Sequence, residues 1–158
     1  MIAIISAIGK NYEIGYNNEL IWNFKEDLNN FKKLTTNNIV VMGKNTFYSL
    51  KNPLKERLNV VISKTMVNEK NILIYHSIDK ALLKLKDFNK DIFFIGGNRI
   101  YKEVLDKKLC DTIFFTKIND EFKKADTFFP YNSLNNDWKI IENNKINDKI
   151  TFLKLKLF

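Results

Sequence analysis

The chain is nearly devoid of cysteine. One thiol, Cys110, in 158 residues excludes an internal disulfide and any zinc site built from several cysteines, and it makes a cytoplasmic compartment the expectation. The only histidine, His76, has no partner motif around it and reads as a surface residue; no metal site is expected. No apolar run approaches the roughly 20 residues of a membrane span. The apolar start, Met1 to Ile8, is short and no basic residue precedes it, so it reads as a buried first strand and not as a signal peptide. Arginine is the other scarcity: of 26 basic residues only two, Arg57 and Arg99, are arginines.

What is present suits one globular domain spanning 1–158. The length allows one core, and 45% hydrophobic with 13% aromatic residues is too apolar for a disordered chain. The net charge of +8 permits anionic partners, but the lysines are scattered and the aromatics alternate as core residues do. A nucleic-acid partner is therefore not expected, since that would call for a basic helix or exposed aromatics flanked by lysine. In a chain so biased toward lysine, each arginine marks a place where a planar two-pronged donor for carboxylate or phosphate is wanted, or a chance survivor in a surface ion pair.

The central stretch is 20–35. Asn23 followed by Glu26 suggests an N-cap and capping box. At about 100° per residue, Phe24, Leu28, Phe31, Leu34 and Thr35 share one side of the helix that follows. Asp27 falls inside that apolar stripe. A carboxylate there is costly unless it is neutral, paired or matched by a ligand; local capping at the stripe's edge is the alternative. Trp22, just upstream, has an indole N–H able to hold a water or a polar ligand group.

Taken in order, 2–8 reads as the first strand and 10–23 as a long connection of the kind that forms lids. Ile39-Val40-Val41-Met42 is a short apolar run, typical of a central parallel strand. Gly43-Lys44-Asn45-Thr46 then opens a short helix to Leu50, a generic anion site. Further strands follow at 59–63, 72–75, 91–95 and 112–118. Ser63-Lys64-Thr65 stands at a strand's carboxyl end, where ligands of α/β sheets sit, and Ser77 caps a helix over 79–86. The fifth strand runs into Gly96-Gly97-Asn98-Arg99-Ile100-Tyr101 and a helix to Leu105. Paired glycines let a ligand approach the main chain, or serve packing alone. The ends 138–141 and 150–158 form an antiparallel hairpin.

Several motifs now stand in order: Ile14-Gly15; Trp22 with Asp27-Leu28-x-x-Phe31; Met42-Gly43-Lys44-x-Thr46; Pro53-Leu54-x-x-Arg57-x-Asn59; Ile95-Gly96-Gly97-x-x-x-Tyr101; and Thr127-x-Phe129-Pro130. Together, from Met1 to Phe158, they resemble the dihydrofolate reductases of the bacterial chromosomal type. The resemblance implies an α/β fold: a central eight-stranded, mostly parallel sheet with an antiparallel C-terminal strand and helices on both faces. It implies reduction of 7,8-dihydrofolate to 5,6,7,8-tetrahydrofolate with NADPH, feeding one-carbon metabolism, in a monomer that diaminopyrimidine antifolates inhibit.

By the same resemblance, Asp27 accepts hydrogen bonds from the pterin, Thr116 bonds Asp27, Trp22 holds an ordered water, and Leu20 and Tyr101 border the reacting rings. Ile5, Leu28, Phe31, Leu50, Leu54 and Ile95 wall the substrate, with Asn52 near its glutamate tail and Arg57 clamping the tail's carboxylate. Ala7, Ile14, Gly15, Asn18 and Leu20 lie along the nicotinamide half of the cofactor. Gly96, Gly97, Asn98, Arg99, Ile100 and Tyr101 wrap the pyrophosphate and nicotinamide, with a cis bond between the glycines. Gly43, Lys44, Asn45, Thr46, Ser63, Lys64 and Thr65 hold the phosphates, and the two lysines favour NADPH over NADH.

The chain departs from the family pattern at four places. Ile21 stands in place of proline, Lys44 of arginine, Asn98 of a small residue and Asn52 of a basic one. The rival reading within the fold is a reductase acting on a riboflavin-pathway pyrimidine, which lacks the pairing of an Asp27-type helix with Arg57. A non-catalytic binding protein of the same fold is the third reading, and the presence of Asp27 speaks against it.

Overall fold

The computed structural model describes residues 1–158. The strands in chain order are β1 (Ile2–Ile8), β2 (Glu13–Tyr16), β3 (Glu19–Leu20), β4 (Ile39–Gly43), β5 (Leu58–Ile62), β6 (Leu73–Tyr75), β7 (Ile92–Gly96), β8 (Thr112–Ile118), β9 (Thr127–Phe128), β10 (Trp138–Lys145) and β11 (Ile150–Leu157). The helices are α1 (Lys25–Thr35), α2 (Lys44–Leu50), α3 (Ile78–Leu85) and α4 (Asn98–Asp106). Eight strands form one sheet in the order β10-β11-β8-β1-β7-β4-β5-β6. The run from β8 to β6 is parallel, and β11 lies antiparallel to both β8 and β10.

The apolar strands are buried on both faces, so the period of two sorts their side chains into two cores. Ile4, Val41, Val60, Phe94 and Ile113 point to one side, where Ile78, Ala81 and Leu85 of α3 and Ile100, Tyr101, Val104 and Leu105 of α4 cover them. Ala3, Ile5 and Phe93 point to the other, under Phe31 and Leu34 of α1. Val40, Met42 and Val61 share that face beneath Phe47 of α2. Helices thus cover both faces. Each fully buried Phe or Ile contributes about 1.5–3 kcal/mol.

Two local expectations are corrected. The N-cap of α1 is Phe24, in extended backbone and without a side-chain cap, so Asn23 and Glu26 form no capping box. The helix instead starts with the acids Glu26 and Asp27 and ends on Lys32 and Lys33, which complements its dipole. The connection 10–23 is also more ordered than a plain loop. Within it β2 and β3 form a hairpin, and β9 adds to β2 to make a second, three-stranded sheet.

Candidate active site

A cleft of about 720 Å³ opens at the carboxyl ends of the parallel strands, the edge where open α/β sheets bind ligands. Its lining comes from segments that leave those strands: Gly43, Lys44, Asn45 and Thr46 after β4, Ser63, Lys64 and Thr65 after β5, and Gly97, Asn98, Arg99 and Ile100 after β7. Ile14, Gly15, Asn18 and Leu20 of the hairpin complete one wall. Lys44 Nζ donates to Thr65 Oγ1 across 3.2 Å, which ties the β4 and β5 exits together. Ser63 Oγ accepts the Met66 N–H at 3.0 Å and the Thr65 N–H at 3.2 Å, so it caps its own turn.

The β7 exit is the tightest part of the cleft. Gly96 and Gly97 are joined by a cis peptide bond. Gly96 has φ +132°, which L side chains rarely adopt, and a Cβ there would lie 3.4 Å from Thr46 Oγ1 and 3.5 Å from the Tyr101 hydroxyl oxygen. The main chain is therefore bare where α4 begins, with Gly97 as an N-cap that carries no side-chain acceptor. The free N–H groups of that turn suit a phosphate, and Lys44, Lys64 and Arg99 supply positive charge around it. These features fit the diphosphate of a nicotinamide nucleotide.

Asp27 stands on α1, facing the sheet across from β8. Burial pushes its pKa up, and the nearby Thr116 hydroxyl pulls it part of the way back. Thr116 is buried and pairs in register with Ala7 of β1, which sets Ala7 beside it. Tyr101 is 3% exposed and donates its hydroxyl hydrogen to the Ile5 carbonyl at 2.8 Å. Burial raises its pKa, Ser6 lowers it and the Asp27 charge raises it further, which places the phenol within the field of Asp27. The hydroxyl hydrogen is committed to β1, so Tyr101 borders the site from inside the core.

Asp27, Thr116 and Arg57 are not among the residues that line the 720 Å³ cleft, and neither is the apolar surface near them, which is shared between the two clusters of this face. Ile95 packs against both, joining Ile5 and Phe31 to Leu50 and Leu54. The α1 stripe is only half covered: Leu28 is 49% exposed, and Thr35 is the helix's one buried residue. Asn52 lies exposed in the turn before Leu54.

Arg57 follows that turn. Its Nη1 donates to Thr35 Oγ1 at 3.1 Å, its guanidinium lies 5.9 Å from the Phe31 ring centre, and its buried Nε has no partner. Burial lowers its pKa and Glu56 opposes the shift; an arginine stays charged regardless. The loop is held by Asn59, whose side chain accepts the Leu54 N–H at 2.9 Å and donates to the carbonyls of Leu54 and Arg57 at 2.8 and 3.0 Å. A buried, charged donor left open beside a groove suits a carboxylate.

The hairpin wall is tied to the segment between β8 and β9. Asp126 N donates to the Gly15 carbonyl at 3.1 Å, and Asn17 N donates to Asp126 Oδ2 at 3.0 Å. Asn98 Nδ2 donates to the Phe128 carbonyl, linking α4 to β9. Trp22 departs from its expected role. Its single donor, Nε1, bonds the Glu13 carbonyl at 2.8 Å, and an indole has no second N–H to hold a water.

Glu19, within the stretch 14–20 expected along the nicotinamide, lines the cleft, and several lining residues were not foreseen: Ser49, Ile62, His76, Ser77, Glu103 and Thr127 also face it. His76 and Ser77 stand at the carboxyl end of β6, the next parallel strand after Ser63, so the strand-end rule applied once more reaches them. Glu103 follows Arg99 by one helical turn and shares its face.

The comparisons with known proteins agree with this geometry. The family model described as dihydrofolate reductase matches residues 1–156. A dihydrofolate reductase of Buchnera aphidicola is 37% identical over 141 residues, covering 89% of this chain and 85% of its own. One from Staphylococcus aureus is 33% identical over 153 residues, covering 95% and 91%. A bifunctional dihydrofolate reductase-thymidylate synthase of Paramecium tetraurelia is 40% identical over 122 residues; the match spans only 26% of that longer protein. Among solved structures, an Enterococcus faecalis dihydrofolate reductase complexed with NADP(H) superposes with a TM-score of 0.87, covering 99% of this chain and 96% of the other at 24% identity; it supports the fold. With the sheet, the cleft and the matched span all in agreement, the chain belongs to the dihydrofolate reductase family.

Proposed function

We propose that this cleft performs its family's reaction, the NADPH-dependent reduction of 7,8-dihydrofolate to 5,6,7,8-tetrahydrofolate, with Asp27 as the acid that orients the pterin. Bound NADPH supplies the hydride, and the ring nitrogen beside the reduced carbon takes a proton from solvent. Asp27, beside Thr116, accepts hydrogen bonds from the pterin's amino group and ring N–H and favours its protonated form. Ile5, Leu28, Phe31, Leu50, Leu54 and Ile95 exclude water around the rings, which strengthens those bonds. Arg57, kept in place by Asn59 and Thr35, receives the carboxylate of the glutamate tail. Lys44 and Lys64 hold the 2′-phosphate of the cofactor, while Gly96, Gly97 and Thr46 receive its diphosphate. Catalysis then comes from placement and polarisation, not from a covalent nucleophile. Burial pushes the Cys110 thiol up to about 12, which removes the one cysteine from consideration.

The observation that carries the reading is Asp27 itself, an acid on a mostly apolar helix face beside Thr116. In this reading the chain acts as a monomer, as the family resemblance implies, and in the cytoplasm, as its single thiol implies. Diaminopyrimidine antifolates bind with their protonated ring against Asp27. The test is the loss of NADPH absorbance when dihydrofolate is added to purified protein, with and without such an antifolate. Rapid, inhibitable loss is expected. No loss from protein that still binds NADPH would overturn the substrate and direct attention to other pterins or a riboflavin-pathway pyrimidine.

A further inference from the structure

Glu13, the first residue of β2, is 2% exposed and makes no salt bridge, yet all its oxygens are engaged. Carboxylate Oε1 accepts the Asn11 N–H at 2.8 Å, and Oε2 accepts the Phe122 N–H at 3.1 Å. Its carbonyl accepts from Trp22 Nε1 at 2.8 Å and from Gly9 N at 3.2 Å. One residue therefore joins the end of β1 through its carbonyl, and the turn before the cleft hairpin to the segment between β8 and β9 through its carboxylate. Gly9 is tailored to it: a Cβ there would sit 2.1 Å from Glu13 Oε1 and 2.5 Å from Trp22 Cζ2.

Nearer its turn the hairpin is held by the Asp126–Gly15 and Asn17–Asp126 bonds, and Ile14 anchors it in the core. Two residue pairs join β2 to β3 and two join β2 to β9, and β3, beyond the Asn17-Asn18 turn, carries Leu20, which is 65% exposed and lines the cleft. The carboxylate holds the root of the hairpin, at the end opposite that turn. Removing it strands two backbone donors in partly buried surroundings, a cost that rigid packing does not absorb.

We propose that Glu13 is a positioning residue that sets the hairpin against the cofactor side of the cleft by bridging Asn11 and Phe122. It touches neither ligand and acts through the hairpin wall. This rests on the reading of the cleft as an NADPH site. Glutamine keeps the shape but turns an NH₂ group toward one of the two N–H donors, so Glu13→Gln loses one bond; Glu13→Ala loses both.

The experiment measures NADPH binding and dissociation without substrate, and dihydrofolate binding without cofactor, in wild type, Glu13→Gln and Glu13→Ala. We expect NADPH to dissociate roughly tenfold faster from Glu13→Gln and faster still from Glu13→Ala, while dihydrofolate affinity changes less than about twofold. Unchanged NADPH dissociation in folded variants would overturn the proposal. So would equal weakening of both ligands, which marks a merely structural role. Should Glu13→Ala fail to fold, the isosteric Glu13→Gln carries the same comparison. Wild-type protein that binds no NADPH would instead overturn the cofactor reading, and this proposal with it.

Discussion

Arg57 Nη1 donates to Thr35 Oγ1 across 3.1 Å, so the end of α1 holds one prong of the guanidinium while its buried Nε stays unpaired. The arrangement fixes the cation while leaving its Nε free to donate. Arg57→Lys keeps the charge and loses the fork. We expect KM for dihydrofolate to rise about tenfold or more while KM for NADPH stays within about twofold. Equal effects on both would rule out a carboxylate clamp. Steady-state kinetics with each reactant varied in turn gives the answer.

Asp27→Asn removes the charge that favours a protonated pterin. Turnover at neutral pH should fall by about a hundredfold or more. The deficit should narrow toward acid pH, where the substrate arrives already protonated. Diaminopyrimidine affinity should drop in parallel. A pH–rate profile of wild-type shape and height would remove Asp27 from its role.

The same residue has a cost in stability. Burial is the larger influence on the Asp27 pKa and raises it, and the nearby Thr116 hydroxyl lowers it in part. The folded state therefore binds that proton more tightly than the unfolded chain does. Stability falls as pH rises from 3.8, the ordinary value, through the raised folded value. The loss is complete above the folded pKa and absent well below 3.8. Asp27→Asn should thus melt a few degrees above wild type at neutral pH, and the gap should close on acidification. Thermal melts across that range settle the sign; a variant that melts below wild type at neutral pH contradicts it.

Lys64 is exposed on the cleft rim beside Ser63 and Thr65. Lys64→Ala should weaken NADPH by about tenfold and NADH hardly at all. The difference should shrink at high salt, because an exposed charge is screened. Titration of both nucleotides at two ionic strengths tests it, and equal weakening would move the 2′-phosphate elsewhere.

Read alone, the sequence determined most elements of the main sheet and its helices, and much of the chemistry. Ile39-Val40-Val41-Met42 and Ile92-Phe93-Phe94-Ile95 are legible as buried parallel strands because a strand covered on both faces has no polar side. Asp27 is legible because a charge interrupts a periodic stripe, and Gly96-Gly97 because only glycine leaves the main chain bare. All of these signals are local. The tertiary structure decided what local periodicity does not encode. Strand order brings Thr116 of β8 and Ala7 of β1 side by side and sets Asp27 opposite them. The long connection turned out to hold a hairpin completed by β9, since two-residue strands carry too short a pattern to read. Trp22 gives its only donor to Glu13, and Glu13 spends its carboxylate on the backbone of Asn11 and Phe122. Every residue has a backbone N–H, so a partner of that kind leaves no mark on the sequence; only folding shows which one a buried acid has found.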